Sequence, residues 1–122
     1  MAALGVNRLA LDRFLERANA DFPLRLAILF GSRARGDELV ESDYDLILVS
    51  PAFAGLPFAR RAAELLRWWE LPEGADLLCY AHEEFERKAR ELGTVAEALA
   101  QGVVLWCPPT APVPTQVATA EE

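Results

Sequence analysis

Apolar residues recur at helical spacing in four segments of the 122-residue chain, which predicts four helices. These helices are expected over residues 7–20, 58–70, 82–92 and 94–101. The clearest apolar face belongs to the first helix, where positions i, i+3, i+4 and i+7 are Leu11, Phe14, Leu15 and Ala18. In the last helix, Thr94 and Glu97 have the spacing of a capping box, in which side chains accept hydrogen bonds from backbone N–H groups at the helix start.

The helix predicted over residues 58–70 carries both a core face and a basic surface. Its core face is predicted to consist of Ala62, Leu65, Leu66 and Trp69. Trp68 lies outside this face, close in sequence to Arg60, Arg61 and Arg67. Trp68 is therefore either an aromatic contact for a partner protein or a half-buried residue at the margin of the core.

Four short apolar runs predict β-strands at Leu24–Phe30, Tyr44–Val49, Ala75–Tyr80 and Val103–Trp106. The second run is apolar on both of its alternating faces, which is typical of a strand covered on both sides. Residues 31–42 are predicted to be a loop with room for a helical turn. The order α-β-β-α-β-α-α-β indicates a small α/β or α+β domain in which helices back a central sheet.

The composition changes near the end of the chain. Residues 108–122, PPTAPVPTQVATAEE, hold four of the eight prolines and no aromatic residue. We therefore expect one folded domain over residues 1–107 and a disordered or polyproline tail over residues 108–122. The two cysteines, Cys79 and Cys107, form no Cys-x-x-Cys motif and are predicted to be reduced thiols.

The net charge excludes some partners. A formal charge of −7 and a pI near 4.7 argue against non-specific binding to nucleic acid or to anionic membranes, which requires a basic face. No apolar run approaches the 18 residues expected of a transmembrane helix. The N-terminal residues lack the long apolar region of a signal peptide. A cytoplasmic protein is therefore expected.

Two acidic residues stand at the start of the apolar strand Tyr44–Val49. Asp43 and Asp45 project to the same side, about 7 Å apart at their Cα atoms, because side chains alternate along a strand. Neighbouring carboxylates raise each other's pKa unless a cation lies between them. Carboxylate oxygens suit Mg²⁺ or Mn²⁺, which also bind phosphate oxygens.

The turn before this strand supplies groups that suit a phosphate. Gly31 lets the backbone approach a ligand closely, and Ser32 offers a hydroxyl donor. Arg33 and Arg35 add positive charge that can meet a triphosphate. Together with Asp43 and Asp45, these residues predict a site for a metal–nucleoside triphosphate complex.

Two common nucleotide-binding motifs are excluded. Gly31 and Gly36 match the glycine spacing of a Walker A loop, but Asp37 and Glu38 follow where Lys and Ser or Thr are required. Acidic side chains there would repel the phosphates. The Gly-x-Gly-x-x-Gly fingerprint of dinucleotide-binding folds is absent from the sequence.

The segments GSRARG and SDYDL resemble the signature of minimal nucleotidyltransferase (MNT) domains, which belong to the DNA polymerase β superfamily. The resemblance implies a small nucleotidyltransferase fold with a mixed central sheet of about four to five strands flanked by helices. It also implies a third carboxylate from a later strand, and Asp76 is the only aspartate after Asp45. The segment GVVLW is similar to the closing strand of the family.

The same resemblance implies roles for these residues. Asp43 and Asp45 would hold two metal ions, Mg²⁺ or Mn²⁺. Asp76 would bind the catalytic metal and help to deprotonate the acceptor hydroxyl. Gly31 and Ser32 would hold the triphosphate of ATP, and the acceptor would displace pyrophosphate at the α-phosphate.

Three functions stay open from the sequence. The first, implied by the small size of such domains, is an antitoxin that transfers AMP from ATP to a tyrosine hydroxyl of a HEPN-type helical toxin. The second is a small-molecule nucleotidyltransferase acting on an aminoglycoside-like hydroxyl. The third is a nucleotide-binding antitoxin that masks its partner by contact alone. A homodimer and a hetero-oligomer are both compatible with these functions, and the basic helix of residues 59–70 is the expected docking face.

Overall fold

The computed structural model describes residues 6–36 and 43–106 together with the backbone of residues 118–119. The helices are α1 (Arg8–Asp21), α2 (Ser32–Arg35), α3 (Phe58–Leu66), α4 (His82–Ala89) and α5 (Thr94–Gln101). The strands are β1 (Leu26–Phe30), β2 (Tyr44–Val49), β3 (Ala75–Tyr80), β4 (Val103–Trp106) and β5 (Ala118–Thr119). A 3₁₀ turn, Pro51–Gly55, connects β2 to the segment before α3.

The strands form one mixed sheet in the order β3-β2-β1-β4-β5. Strand β1 runs antiparallel to both of its neighbours, β2 and β4. Strands β2 and β3 are parallel, and so are β4 and β5. This arrangement confirms the predicted mixed sheet of four to five strands with helices around it.

Both faces of the sheet are covered, as the apolar sequence of β2 predicts. On one face, Leu46 and Leu48 of β2 join a core completed by α1 and α3. On the other face, Ile47 and Val49 pack with apolar residues of α4 and α5. Alternation along the strand therefore assigns Tyr44 to the α1 side and Asp45 to the side of α4 and α5.

Residues next to helix α1 determine where it begins and where it ends. The side chain of Asn7 accepts a hydrogen bond from the Ala10 N–H at 3.1 Å, which caps the N-terminus. The helix ends just before Phe22, and Pro23 follows. Strand β1 then starts at Leu26, two residues later than the sequence pattern indicates.

Helix α3 ends at Leu66, although the apolar pattern predicts a helix to residue 70. The N–H groups of Trp68 and Trp69 donate to the carbonyls of Leu65 and Leu66, three residues earlier. This is the hydrogen-bond pattern of a 3₁₀ turn, and it ends the α-helix. The indole N–H of Trp69 then donates to the Glu73 carbonyl at 2.7 Å. This bond secures the turn that leads into β3.

The core face predicted for α3 is only partly correct. Leu65 is fully buried, and Ala62 and Trp69 pack against the core, but Leu66 is 40% exposed. Arg61, in contrast, is only 4% exposed. It is therefore buried and does not contribute to the predicted basic docking surface. Trp68 is half-buried against the core, in line with the second of its two predicted roles.

The capping box predicted at Thr94 and Glu97 is wrong. The residue that caps α5 is Gly93, with φ +146°, and no side chain caps that end. Thr94 is already the first residue of the helix. Helix α4 carries such a contact instead, because the Glu84 carboxylate accepts a hydrogen bond from the Ala81 N–H at 2.8 Å. Helix α4 also ends at Ala89, three residues earlier than expected.

Most of the predicted tail lies outside the described residues, as does Cys107. Ala118 and Thr119 form β5, paired with Val103 and Val104 of β4. The expectation that the whole segment lacks regular structure therefore fails at these two positions, and the domain boundary at residue 107 stays a prediction. Cys79 is a buried free thiol. Among the described helices, none has the length and apolar content needed to cross a membrane.

Candidate active site

Three acidic residues meet where β2 and β3 begin. The two strands are parallel and in register, which places Asp45 directly beside Asp76. Asp43 immediately precedes β2 and shares the side of Asp45. The Tyr44 N–H donates to the Gly74 carbonyl at 2.9 Å, which ties the two strand entrances together. The strand register thus places the three aspartates at one entrance of the sheet, and their roles stay predictions.

Two glycines make room for these carboxylates. A Cβ atom on Gly31 would overlap the Asp45 Oδ2 atom and lie 3.2 Å from its Cγ. A Cβ atom on Gly74 would lie 3.0 Å from the Asp43 Oδ1 atom. The missing side chain of Gly31 therefore leaves space for the Asp45 carboxylate, and it also lets the backbone approach a ligand. The sequence pattern identifies Gly74 only as a turn residue, because no local signal reveals its contact with Asp43.

The surroundings of Asp45 favour its neutral form or a bound cation. Burial raises the pKa of this carboxyl group most, and the nearby carboxylates of Asp76 and Asp43 raise it further. The positive charge of Arg35 acts in the opposite direction. A cation among the three carboxylates would remove the repulsion that raises this pKa.

The predicted phosphate turn follows β1 directly. Gly31 has φ +78°, a left-handed conformation that favours glycine. Ser32 is half-buried and opens the short helix α2, which ends at Gly36 with φ +81°. Phe30 pairs with Asp45 across the sheet, so the turn begins beside the acidic cluster. Gly31 is thus positioned next to the Asp45 carboxylate, and Ser32 follows it in the chain.

The two arginines of α2 take different directions. Arg35 is exposed, and its charge acts on Asp45. Arg33 is 2% exposed, with its guanidinium carbon 4.2 Å from the centre of the Tyr44 ring. Tyr44 belongs to the core on the α1 side, where its hydroxyl accepts a hydrogen bond from the Asn7 N–H. The guanidinium of Arg33 thus packs on the α1 side of the sheet, and its predicted phosphate contact stays a prediction.

Two cavities open on the sheet face that carries Asp45 and Asp76. The smaller, about 190 Å³, is lined by Gly31, Arg35 and residues of α5. The larger, about 420 Å³, is lined by Leu78 and Tyr80 of β3 and by residues from α3 and α4. Thr94, at the start of α5, lines both. This sheet face thus has space for ligands beside the Gly31 turn and along β3.

The acidic cluster fits a divalent cation by its donor chemistry. Three carboxylates supply the hard oxygen atoms that Mg²⁺ and Mn²⁺ prefer, and burial together with the neighbouring carboxylates raises the pKa of Asp45, so a bound cation would stabilise its ionised form. Within residues 6–36 and 43–106, no three acidic, histidine or cysteine side chains are grouped closely enough to hold a metal ion as they stand. Holding one would therefore require the aspartate side chains to rotate.

The family is decided by a direct sequence match. The model of the family described as nucleotidyltransferase domain matches residues 11–101, which include all three carboxylates and the Gly31-Ser32 turn. The chain belongs to this family. It is a nucleotidyltransferase, and the resemblance and enzyme class predicted from its motifs are confirmed.

Solved structures show the same fold. A structure from Sulfolobus solfataricus assigned as a nucleotidyltransferase aligns with a TM-score of 0.60 and 22% identity, over 87% of this chain and 85% of the other. A toxin–antitoxin structure with AMP-PNP aligns with a TM-score of 0.54 and 23% identity, over 85% and 76%. A mutant of the MntA-HepT toxin–antitoxin pair, with two aspartates replaced by glutamate, aligns at 0.53 and 21%, over 85% and 76%. No curated protein sequence matches the chain.

Proposed function

We propose that this nucleotidyltransferase is the antitoxin of a toxin–antitoxin pair and transfers AMP from ATP to a tyrosine hydroxyl of a HEPN-type toxin. The observation that carries the proposal is the position of Asp43, Asp45 and Asp76 beside the Gly31-Ser32 turn. The toxin–antitoxin structures that share the fold support the biological setting. One of them contains AMP-PNP, an analogue of ATP.

Each residue of the cluster has a specific part in this proposal. Asp43, Asp45 and Asp76 would hold Mg²⁺ or Mn²⁺, which supplies countercharge to the phosphates and polarises the reacting phosphoryl group. Gly31 offers its backbone N–H, and Ser32 its hydroxyl, to the triphosphate. The exposed Arg35, whose charge already reaches Asp45, would add positive charge at the same end.

The transfer itself is a displacement at the α-phosphorus of ATP. The tyrosine oxygen forms a bond to this phosphorus, and the bond from phosphorus to the oxygen shared with the β-phosphate breaks. Pyrophosphate leaves, and the hydroxyl proton passes to Asp76. The protein contributes by holding the reactants in line and by placing charge where it develops, which are the main sources of rate enhancement in such reactions.

The net charge favours a protein acceptor over a nucleic acid. A polynucleotide would be repelled by a body of charge −7, whereas a single tyrosine side chain can enter the open face beside Asp76. In the proposed setting both proteins act in the cytoplasm. The partner toxin and this chain would form a hetero-oligomer at least during transfer.

The test is the mass of the partner after incubation with the protein, ATP and Mg²⁺, using the product of the adjacent gene as the partner. We expect additions of about 329 Da, the mass of one AMP unit gained by attack at the α-phosphate. Asp43→Asn should abolish them, while Asp12→Asn, the same change on α1 away from the cluster, should not. Labelling of an aminoglycoside instead of the partner would favour the small-molecule enzyme. An unmodified partner that is silenced in a stable complex would favour masking by contact.

A further inference from the structure

The cavity of about 420 Å³ lies along β3, on the sheet face that carries Asp76. Leu78, which lines it, is two residues beyond Asp76 and therefore on the same face, about 7 Å further along the strand. The volume falls within the range of about 300–1,000 Å³ that is typical of sites for small ligands. None of the roles proposed above uses this cavity.

The order of the strands indicates which ligand enters here. Gly31 follows β1, Asp45 lies on β2 in the middle, and Asp76 lies on β3 at one end of the sheet order. In an in-line displacement, the attacking and leaving oxygens lie on opposite sides of the phosphorus. If pyrophosphate leaves on the side of Gly31, the acceptor approaches on the side of Asp76. This side contains the larger cavity.

The lining of the cavity combines an aromatic surface with basic residues. Phe58, 49% exposed, lies 5.5 Å from the Tyr80 ring between ring centres. The exposed side chains of Arg87 and Lys88 line the cavity from α4. The Lys88 ammonium group also lies 3.8 Å from a carboxylate oxygen of Glu91, an exposed pair that solvent weakens.

The acidic residue of this lining is already compensated. The Glu84 carboxylate accepts two hydrogen bonds from the Arg61 guanidinium, at 2.6 and 3.2 Å, and a third from the Ala81 N–H. The Arg61 hydrogen bond is the main reason why the pKa of Glu84 is lowered. Glu84 is therefore ionised but paired, so Arg87 and Lys88 leave the cavity with a positive character.

We propose that this cavity binds the acceptor segment of the partner protein, and that this segment presents a tyrosine flanked by acidic residues. The tyrosine side chain would enter beside Leu78, with its hydroxyl directed toward Asp76, and neighbouring residues of the segment would lie on the aromatic surface of Phe58 and Tyr80. The flanking carboxylates would pair with Arg87 and Lys88. The inference rests on the proposed transfer to a tyrosine and specifies how that tyrosine is selected.

Synthetic peptides test this selection with the full-length protein, ATP and Mg²⁺. One peptide carries a tyrosine between pairs of glutamates, and a second carries it between pairs of lysines. We expect the acidic peptide to be labelled with a kcat/KM about three- to ten-fold higher, as expected for two exposed charge pairs. The double variant Arg87→Glu and Lys88→Glu should lose or invert this preference through KM, while its affinity for ATP, measured by calorimetry, stays unchanged.

Control variants distinguish the effect of charge in the cavity from a general effect of charge or a loss of folding. The double variant Arg25→Glu and Arg90→Glu makes the same charge change at exposed positions outside the cavity lining and should keep the preference for the acidic peptide. Phe58→Ser should raise KM for both peptides without changing which is preferred. Melting temperatures should show that all variants fold.

Three results would overturn the inference. Equal labelling of both peptides would exclude charge selection, and labelling of neither would show that the cavity does not bind a tyrosine segment of this kind. Weaker ATP binding in the Arg87 and Lys88 variant would identify the cavity as part of the nucleotide site instead. In each of these cases, Asp43-dependent labelling of the whole partner protein would show that the proposed function survives.

Discussion

Asp45 and Asp76 lie side by side on neighbouring parallel strands, and their charges repel. The folded state therefore binds a proton at Asp45 more tightly than the unfolded chain does, since its pKa is raised. For such a group, stability falls as the pH rises through the interval between the unfolded and the folded pKa. At neutral pH without metal, the ionised Asp45 is a net cost to folding.

The first prediction follows from this cost. Asp45→Asn should raise the melting temperature of the metal-free protein at pH 7. Its advantage should shrink as the pH falls toward about 3.9, the value of an unperturbed aspartate, because Asp45 becomes neutral in the wild type. The measurement is a series of thermal melts with EDTA between pH 3.5 and pH 8. An advantage that does not depend on pH would show that charge is not its cause.

The second prediction compares two glycines that both have a positive φ but differ in ψ and in their surroundings. Gly36→Ala should cost about 1 kcal/mol, because φ is +81° but the space around it is open. Gly31→Ala is expected to cost more for two reasons: its φ of +78° is combined with a ψ of −158°, a region that is almost restricted to glycine, and its Cβ would overlap the Asp45 carboxylate. It should therefore destabilise the protein further and abolish nucleotidyl transfer. Denaturant titrations and a transfer assay on both variants would measure these effects, and equal losses would contradict the contact with Asp45.

The third prediction concerns the buried guanidinium of Arg61. It donates to the carbonyls of Leu56 and Cys79, at 2.9 and 3.0 Å, and to the carboxylate of Glu84. Arg61→Ala should cost about 3 kcal/mol or more, because it leaves buried acceptors without a donor.

Arg60, the preceding residue on α3, provides the control. It is exposed, and its pairing with Glu64 spans 3.5 Å, so Arg60→Ala should change stability by less than about 0.5 kcal/mol. Urea titrations of the two variants would show whether burial separates them. Similar midpoints would mean that the Arg61 bonds contribute little.

The fourth prediction concerns residues 108–122. Their removal deletes β5, which pairs with only two residues of β4. The segment has few apolar residues and four prolines, so it cannot add much to the core. Truncation after Cys107 should lower the melting temperature by less than about 4 °C, which corresponds to roughly 0.5 kcal/mol in a domain of this size. A much larger drop would show that the segment packs on the domain or joins subunits.

Much of the architecture follows from short-range patterns in the sequence. The bounds of β2, β3, α5 and β4 agree with the predicted segments, because each is delimited by residues that end regular structure. The positions of Asp43 and Asp45 on one side of a strand entrance also follow from local alternation alone. These features depend on neighbours within a few residues.

Contacts between distant segments decided the rest. The parallel register of β2 and β3 brings Asp76 to Asp45, which lies 31 positions earlier in the numbering, and the packing of Gly74 makes room for Asp43. From the sequence, Arg61 looks like one of several surface arginines. In the structure it is buried, and it donates hydrogen bonds to the carbonyl of Cys79 and the carboxylate of Glu84. Arg33 and Arg35 look equivalent in the sequence, yet Arg33 is buried with its guanidinium over the Tyr44 ring, whereas Arg35 is exposed and its charge acts on Asp45. A local pattern predicts where a side chain can point, whereas burial and pairing depend on which distant segment packs against it.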